Sequence, residues 1–203
     1  MKIFAENIYH IYNQGNNKGT IFYDDSDYKC FLNLFKQHVS PVSKVLAYCL
    51  MPNHFHFLNY STQVSAQPLL LGKVESCELS NSFRLLQSLY AQNINVKYNR
   101  TGSVFRQKAK AICLADGSDQ YPFTAFNYIH QNPLKAGLIK RMEDWPYSSF
   151  NDFSNPTKEG FCDIELAEQL IGFNKDKFIW ESYQFVDEEL TKRIFNKNDY
   201  LKY

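Results

Sequence analysis

Paired cysteines are missing from this chain. Five cysteines (Cys30, Cys49, Cys77, Cys113 and Cys162) are scattered over 203 residues, an odd number with no C-x-x-C spacing. That argues against a disulfide scaffold and equally against a cysteine-rich zinc site. Long apolar runs are missing too. None approaches the roughly 20 residues that span a bilayer, and residues 1–11 carry no basic-then-apolar leader pattern. The expected setting is the cytoplasm, with no membrane partner. Internal repeats and low-complexity tracts are absent. Net charge is nearly absent as well, at a formal +1, so bulk electrostatics does not announce a nucleic-acid partner.

What is present is material for a core. Hydrophobic residues make up 44% of the chain, which holds 14 tyrosines and 17 phenylalanines. A packed globule follows, and wholesale disorder does not. The length suits one ordinary domain with a helical appendage. Most aromatics must build core, while some could stack on bases if nucleic acid is the substrate. Charge is unevenly laid out. No acidic residue falls within 81–113, where Arg84, Lys97, Arg100, Arg106, Lys108 and Lys110 lie. Over 157–203, ten acidic residues face seven basic ones. A basic middle and a mildly acidic tail suit a phosphate-facing surface on one part of the molecule, although a balanced solvated surface explains the charges equally well.

Periodicity orders the elements. Alternation predicts a strand over 7–13, and 14–19 (QGNNKG) is a loop by composition. Over 25–39, Tyr28, Phe31, Leu32, Leu34 and Phe35 fall at amphipathic-helix spacing, behind N-cap candidates at 24–27. Apolar runs at 44–50 and 53–60, joined by Met51-Pro52-Asn53, read as a hairpin. Residues 62–80, with Pro68 and Gly72, read as a loop with a short helical piece. Phe83, Leu86, Tyr90, Ile94 and Tyr98 predict a helix over 81–98. A further strand is expected over 104–114, then a helix over 120–131 stopped at Asn132-Pro133. Residues 145–149 (WPYSS) read as a turn, and two amphipathic helices are expected within 157–203. This order predicts an α+β fold of ferredoxin-like type, an antiparallel sheet with helices on one face. The expected division is a domain over 1–150 and a C-terminal helical extension of unassigned role over 151–203.

Three constellations could carry chemistry. His54-Phe55-His56 lies on a predicted strand, where side chains two apart share a face. Both imidazoles can reach one metal ion while Phe55 enters the opposite face. Imidazole suits manganese or zinc, and tolerates magnesium when oxygen ligands complete the shell. An H-x-H pair alone is more often a satisfied structural pair, and a third ligand must come from elsewhere. In the second constellation, Tyr128 and Asn132 are four apart on a predicted helix and share its face. A tyrosine can attack a phosphodiester and become linked to it, but its ordinary pKa of about 10 calls for activation. Asn132 or Gln131 could offer a carboxamide oxygen to the same metal. Among 14 tyrosines, however, any one is usually core. The third is 97–108, where basic groups interleave with aromatics as nucleic-acid grooves require; a polar loop reads the same way.

Together these stretches resemble one family, the HUH single-tyrosine transposases, especially the branch associated with repetitive extragenic palindromes. The matching segments are 9–17 (YHIYNQGNN), 48–56 (YCLMPNHFH), 98–105 (YNRTGSVF), 128–138 (YIHQNPLKAGL) and 145–149 (WPYSS). They follow the family's order over about 8–150. The resemblance implies that His54 and His56 are metal ligands, that Tyr128 is the nucleophile, and that Asn132 is the third ligand, one turn after the tyrosine. It implies a divalent cation, Mg²⁺ or Mn²⁺, and single-stranded or hairpin DNA at transposon or repeat ends. That DNA would be cut and rejoined through a 5′-phosphotyrosine, with Arg84, Lys97, Arg100, Arg106, Lys108 and Lys110 holding its backbone. One departure is Gln14, where the family pattern has a basic residue; that weakens the loop's claim to grip DNA. Monomer and homodimer both remain open. The rival expectations are a hairpin-binding relative without cleavage, a replication-initiator or relaxase-type HUH nickase, and a ferredoxin-like structural or RNA-binding domain. The tyrosine lying after the histidines, and the short chain, favour the transposase branch.

Overall fold

In the computed structural model, which describes residues 1–115, 120–155, 160–184 and 188–194, the strands are β1 Ile8–Gln14, β2 Ser43–Met51, β3 His54–Ser61, β4 Pro68–Leu71, β5 Val74–Cys77 and β6 Lys110–Cys113. The helices are α1 Asp25–His38, α2 Glu78–Lys97, α3 Gln120–Lys135, α4 Phe150–Ser154, α5 Ile164–Ile171, α6 Phe178–Ser182 and α7 Glu188–Ile194. The main sheet has the order β2-β3-β1-β6 and is antiparallel throughout. α1 joins β1 to β2, and α2 leads from the β4–β5 hairpin to β6. The α+β expectation holds. Among the described residues no helix is long and apolar enough to cross a membrane.

Helices cover both faces of the sheet, not one as expected. Period-2 alternation splits the strand residues between two cores. Tyr9, Ile11, Leu50, Phe55 and Phe57 join Phe31 and Phe35 of α1 and Phe83 and Tyr90 of α2. Ala47, Cys49, Met51 and Leu58 join Ala125, Phe126, Tyr128 and Ile129 of α3. Ala167, Ile171, Phe178 and Ile194 of the C-terminal helices are buried in this second cluster. The parts of the expected C-terminal helices at 157–159, 185–187 and 195–203 lie outside the described residues.

Local chemistry explains the boundaries. Asp24 caps α1 through Ser26 N and Asp27 N, and Asp27 returns the bond to complete a capping box. Within 62–80, residues 68–77 form a β-hairpin where a loop with a short helical piece was expected, and 78–80 open α2. Pro68 sits at the first position of an edge strand, where its missing N–H costs nothing. Gly72, at φ 65°, opens the two-residue turn that such hairpins require. The strand expected over 104–114 is paired only at 110–113; before it, a single bridge joins Phe105 to Gly15. α3 does not stop before Pro133 but runs through it to Lys135. The proline removes one backbone bond in the last turn, and Gly137 at φ 70° closes the end. Leu138 N donates to Pro133 O at 3.0 Å and Gly137 N to Leu134 O at 3.0 Å, a Schellman pattern.

Residues 145–149 are more than a turn. Leu50 N donates to Tyr147 O at 2.9 Å, Ser149 N to Tyr48 O at 2.9 Å, and Trp145 Nε1 to Leu50 O at 3.0 Å. The segment thereby satisfies the outer edge of β2, an edge that would otherwise stay open to pairing.

Candidate active site

The β1–β3 register builds the site. Tyr12 pairs with His56 and Gln14 with His54, while His10 sits opposite Leu58 and is diagonal to His56. His10, Tyr12, Gln14, His54 and His56 therefore share the sheet face on which α3 packs. Lys110 of β6, paired with Tyr12, joins them. Phe55 enters the opposite core, 5.1 Å from the Phe31 ring, as the alternation requires.

Both histidines of the H-x-H pair are 1% exposed, with ring centroids 4.9 Å apart. Burial pushes the His56 imidazole down to about 3. His54 is lowered by burial first and by His56 second, so both rings are neutral, the form that binds metals. Asn53 Oδ1 lies 2.6 Å from His54 Nδ1, and Asn53 Nδ2 donates to Lys18 O at 3.3 Å. The amide is thus oriented with its oxygen toward the ring, and His54 Nδ1 carries the proton. His56 Nδ1 lies 2.9 Å from His10 Nε2. His56 Nε2 is buried with no hydrogen-bond partner. An orphaned imidazole nitrogen beside a second imidazole fits a transition metal or manganese, with oxygen donors completing the shell. Among the described residues, no group of three His, Cys, Asp or Glu side chains could hold a metal. Carboxamide, substrate or solvent oxygens could complete the shell.

α3 brings the tyrosine. The Tyr128 ring stands edge-on to His56, centroids 5.6 Å apart. This juxtaposition is made within one chain, although Tyr128 and His56 are 72 positions apart in the sequence. Asn132 Nδ2 donates to Tyr128 O at 2.8 Å, which leaves Oδ1 as its atom with ligand chemistry. Gln131 points elsewhere: its Nε2 donates to Ser182 O at 2.8 Å and Gln184 O at 2.9 Å, carbonyls of the C-terminal segment. Lys135 Nζ lies 5.9 Å from the Tyr128 ring centroid, a cation over an aromatic face.

The six basic residues separate into three groups. Arg84, Arg106 and Lys108 line a cleft of about 370 Å³ between α2 and residues 103–109. Lys110 is on the histidine face and, with Tyr12 and Lys108, lines a second depression of about 540 Å³. Lys97 and Arg100 are engaged structurally. Lys97 Nζ is 2.8 Å from both Asp24 and Asp27, closing the N-terminus of α1, and Arg100 donates to Tyr23 Oη at 2.8 Å.

Sequence reasoning passed over His10, Asn53 and Lys135, and took Gln14 only as a departure that weakens a grip on DNA. All four lie inside the matching motifs, but only the strand register and the α3 packing turn motif membership into proximity. His130 also has a different task. Its Nε2 lies 2.7 Å from Ser149 Oγ, pinning 145–149 to α3.

Two comparisons bear on this arrangement, and no family model matches the chain. A curated Haemophilus influenzae protein described as "Putative REP-associated tyrosine transposase" is 23% identical over 108 residues, 53% of this chain and 59% of that protein. The match thus spans under two thirds of the relative's own length. A solved structure of a REP-associated tyrosine transposase bound to a REP hairpin superposes with a TM-score of 0.55 at 16% identity. It covers 76% of this chain and 84% of that one. The chain resembles the REP-associated tyrosine transposases and shares their fold. A bacterial tRNA(His) guanylyltransferase-like protein in complex with GTP reaches a TM-score of only 0.40 at 11% identity, over 68% of this chain and 71% of that one, too loose a likeness to carry an argument. Within this fold α3 crosses the histidine face and places Tyr128 beside His56.

Proposed function

We propose that this chain is a metal-dependent transposase that cuts and rejoins single-stranded DNA, at hairpin-bearing transposon or repeat ends. The observation that carries this is the Tyr128 ring 5.6 Å from His56 within a single chain. The hairpin assignment leans on the solved relative, whose partner is a REP hairpin. In this reading 1–150 carries the chemistry, and the described C-terminal helices α5, α6 and α7 brace α3.

His54, His56 and the Asn132 carboxamide would hold Mg²⁺ or Mn²⁺, which when bound polarises the scissile phosphate and offsets the charge that develops on it. The Tyr128 oxygen attacks phosphorus as its proton is lost to solvent or a base. A Tyr–O–P bond forms and the P–O3′ bond breaks, the departing 3′ oxygen taking up a proton. The products are a 5′-phosphotyrosine and a free 3′-hydroxyl. The phosphodiester is conserved in the covalent link, so a second 3′-hydroxyl can reverse the step without ATP. Lys135 supplies positive charge beside the nucleophile. Gln14, opposite His54, has a buried Nε2 with no hydrogen-bond partner and can donate to a phosphate oxygen. Arg84, Arg106, Lys108 and Lys110 attract the backbone.

The test is incubation of labelled hairpin DNA with the protein and Mg²⁺ or Mn²⁺, read as a denaturant-resistant protein–DNA adduct. The wild type is expected to form it and Tyr128→Phe to form none; an adduct with Tyr128→Phe removes the nucleophile assignment. A second reading, hairpin binding without cleavage, has one observation in its favour. Tyr128 is 7% exposed and the histidines 1%, so α3 must lift for DNA to enter. Hairpin binding with no adduct under either metal would select it.

A further inference from the structure

The two histidines of the H-x-H pair are held by different partners. His54 Nδ1 meets an amide oxygen whose role is settled, as Asn53's NH₂ is committed to Lys18 O. His56 Nδ1 meets another imidazole, His10 Nε2, at 2.9 Å, and either ring could donate. His10 is 1% exposed. It lies nearly parallel to Tyr12, with centroids 4.9 Å apart and an interplanar angle of 12°, and nearly parallel to His56 at 17°. The contact is therefore an edge-to-edge bond between two fixed, buried rings.

A 2.9 Å bond between two imidazole nitrogens needs one ring to donate and the other to accept. If His10 Nε2–H donates, the His56 proton must sit on Nε2, which then has no lone pair to offer a cation. If His56 Nδ1–H donates, Nε2 keeps its lone pair, matching the His54 tautomer that Asn53 enforces. Only this arrangement lets both imidazoles present Nε2 to one ion. His10 itself is not a ligand in this geometry: its Nε2 is used by His56, and no group of three His, Cys, Asp or Glu side chains could hold a metal among the described residues.

We infer that His10 is a positioning residue, which accepts the His56 Nδ1–H and so holds His56 Nε2 as the lone pair of the metal site. The choice of tautomer rests on the metal reading proposed above; the His10–His56 contact does not.

The experiment separates the two. Two-bond ¹H–¹⁵N spectra of ¹⁵N-histidine-labelled, metal-free protein report which His56 nitrogen is protonated, and Mn²⁺ titration followed by electron paramagnetic resonance reports affinity. Wild type is expected to show His56 protonated at Nδ1. His10→Phe, which keeps the ring and its burial, is expected to release that proton to Nε2 and weaken Mn²⁺ binding about 10–100-fold. His10→Gln, whose carboxamide oxygen accepts the same N–H, is expected to restore both. Wild-type protonation at Nε2, or a His10→Phe variant with unchanged tautomer and affinity, overturns the inference. If wild type binds Mn²⁺ no better than His56→Ala while the tautomer still follows His10, the metal reading fails and the control of His56 by His10 stands.

Discussion

The two faces of the main sheet are built from the same four strands and do opposite things. The α1/α2 face is aromatic: Phe57 stacks on Phe35 at 4.1 Å, and Phe31 meets Tyr90 edge-on at 5.1 Å. Polar groups enter it too: Tyr90 Oη donates to Ile21 O at 2.6 Å, and Asn59 Nδ2 donates to Ser43 Oγ at 2.8 Å while its Oδ1 stays unpartnered. The α3 face is equally buried but carries His10, Tyr12, Gln14, His54 and His56, with orphaned nitrogens on His56 and Gln14. Burying a polar group without a partner costs stability. The α3 face carries this cost on His56, beside Tyr128, and the aromatic packing of the other face offsets it.

The largest effect expected from breaking this contrast is chemical. Tyr128→Phe should abolish the covalent adduct altogether while leaving the melting temperature near wild type, checked by gel and by calorimetry. On the aromatic face, Phe57→Ala should destabilise by about 3–5 kcal/mol in denaturant unfolding, the usual loss for a fully buried phenylalanine. Ser149→Ala strips a partner from His130 and from Tyr48 N and should cost about 1–3 kcal/mol. The paired change His10→Phe with His56→Leu removes both ends of one buried bond. It should leave stability within about 1 kcal/mol of wild type and remove Mn²⁺ binding; a loss as large as that of Phe57→Ala would mean the polar face is structural. The smallest expected effect concerns DNA. Lys108→Ala should lower the salt slope of single-strand binding by about 0.7, whereas Lys97→Met, already engaged by Asp24 and Asp27, should leave it unchanged.

Much of the fold is legible in local pattern because local pattern has a local cause. The α1 start follows from Asp24 and Asp27, and the β2–β3 hairpin follows from two apolar runs around Met51-Pro52-Asn53. The misreadings came where neighbours overrule local preference. Pro133 was expected to stop α3, yet the helix loses one bond and continues because α3 is packed on the sheet and closed by Gly137. Residues 68–77 form a hairpin through pairing that no periodicity announced. Lys97, read as a phosphate contact, is captured by the Asp24 and Asp27 carboxylates, 73 and 70 positions earlier.

What the sequence determined by itself was the chemical inventory: two imidazoles on one strand face, a tyrosine and a carboxamide on one helix face, and motifs that resemble a single family. Those follow from periods of 2 and 3.6, which any chain obeys locally. That β1 lies beside β3 in the register bringing His10 to His56, that α3 crosses this face with Tyr128 toward the pair, and that Gln131 turns away toward Ser182 were decided only by the tertiary structure. Such contacts join residues tens of positions apart, and they depend on strand order and helix docking, which no local period encodes.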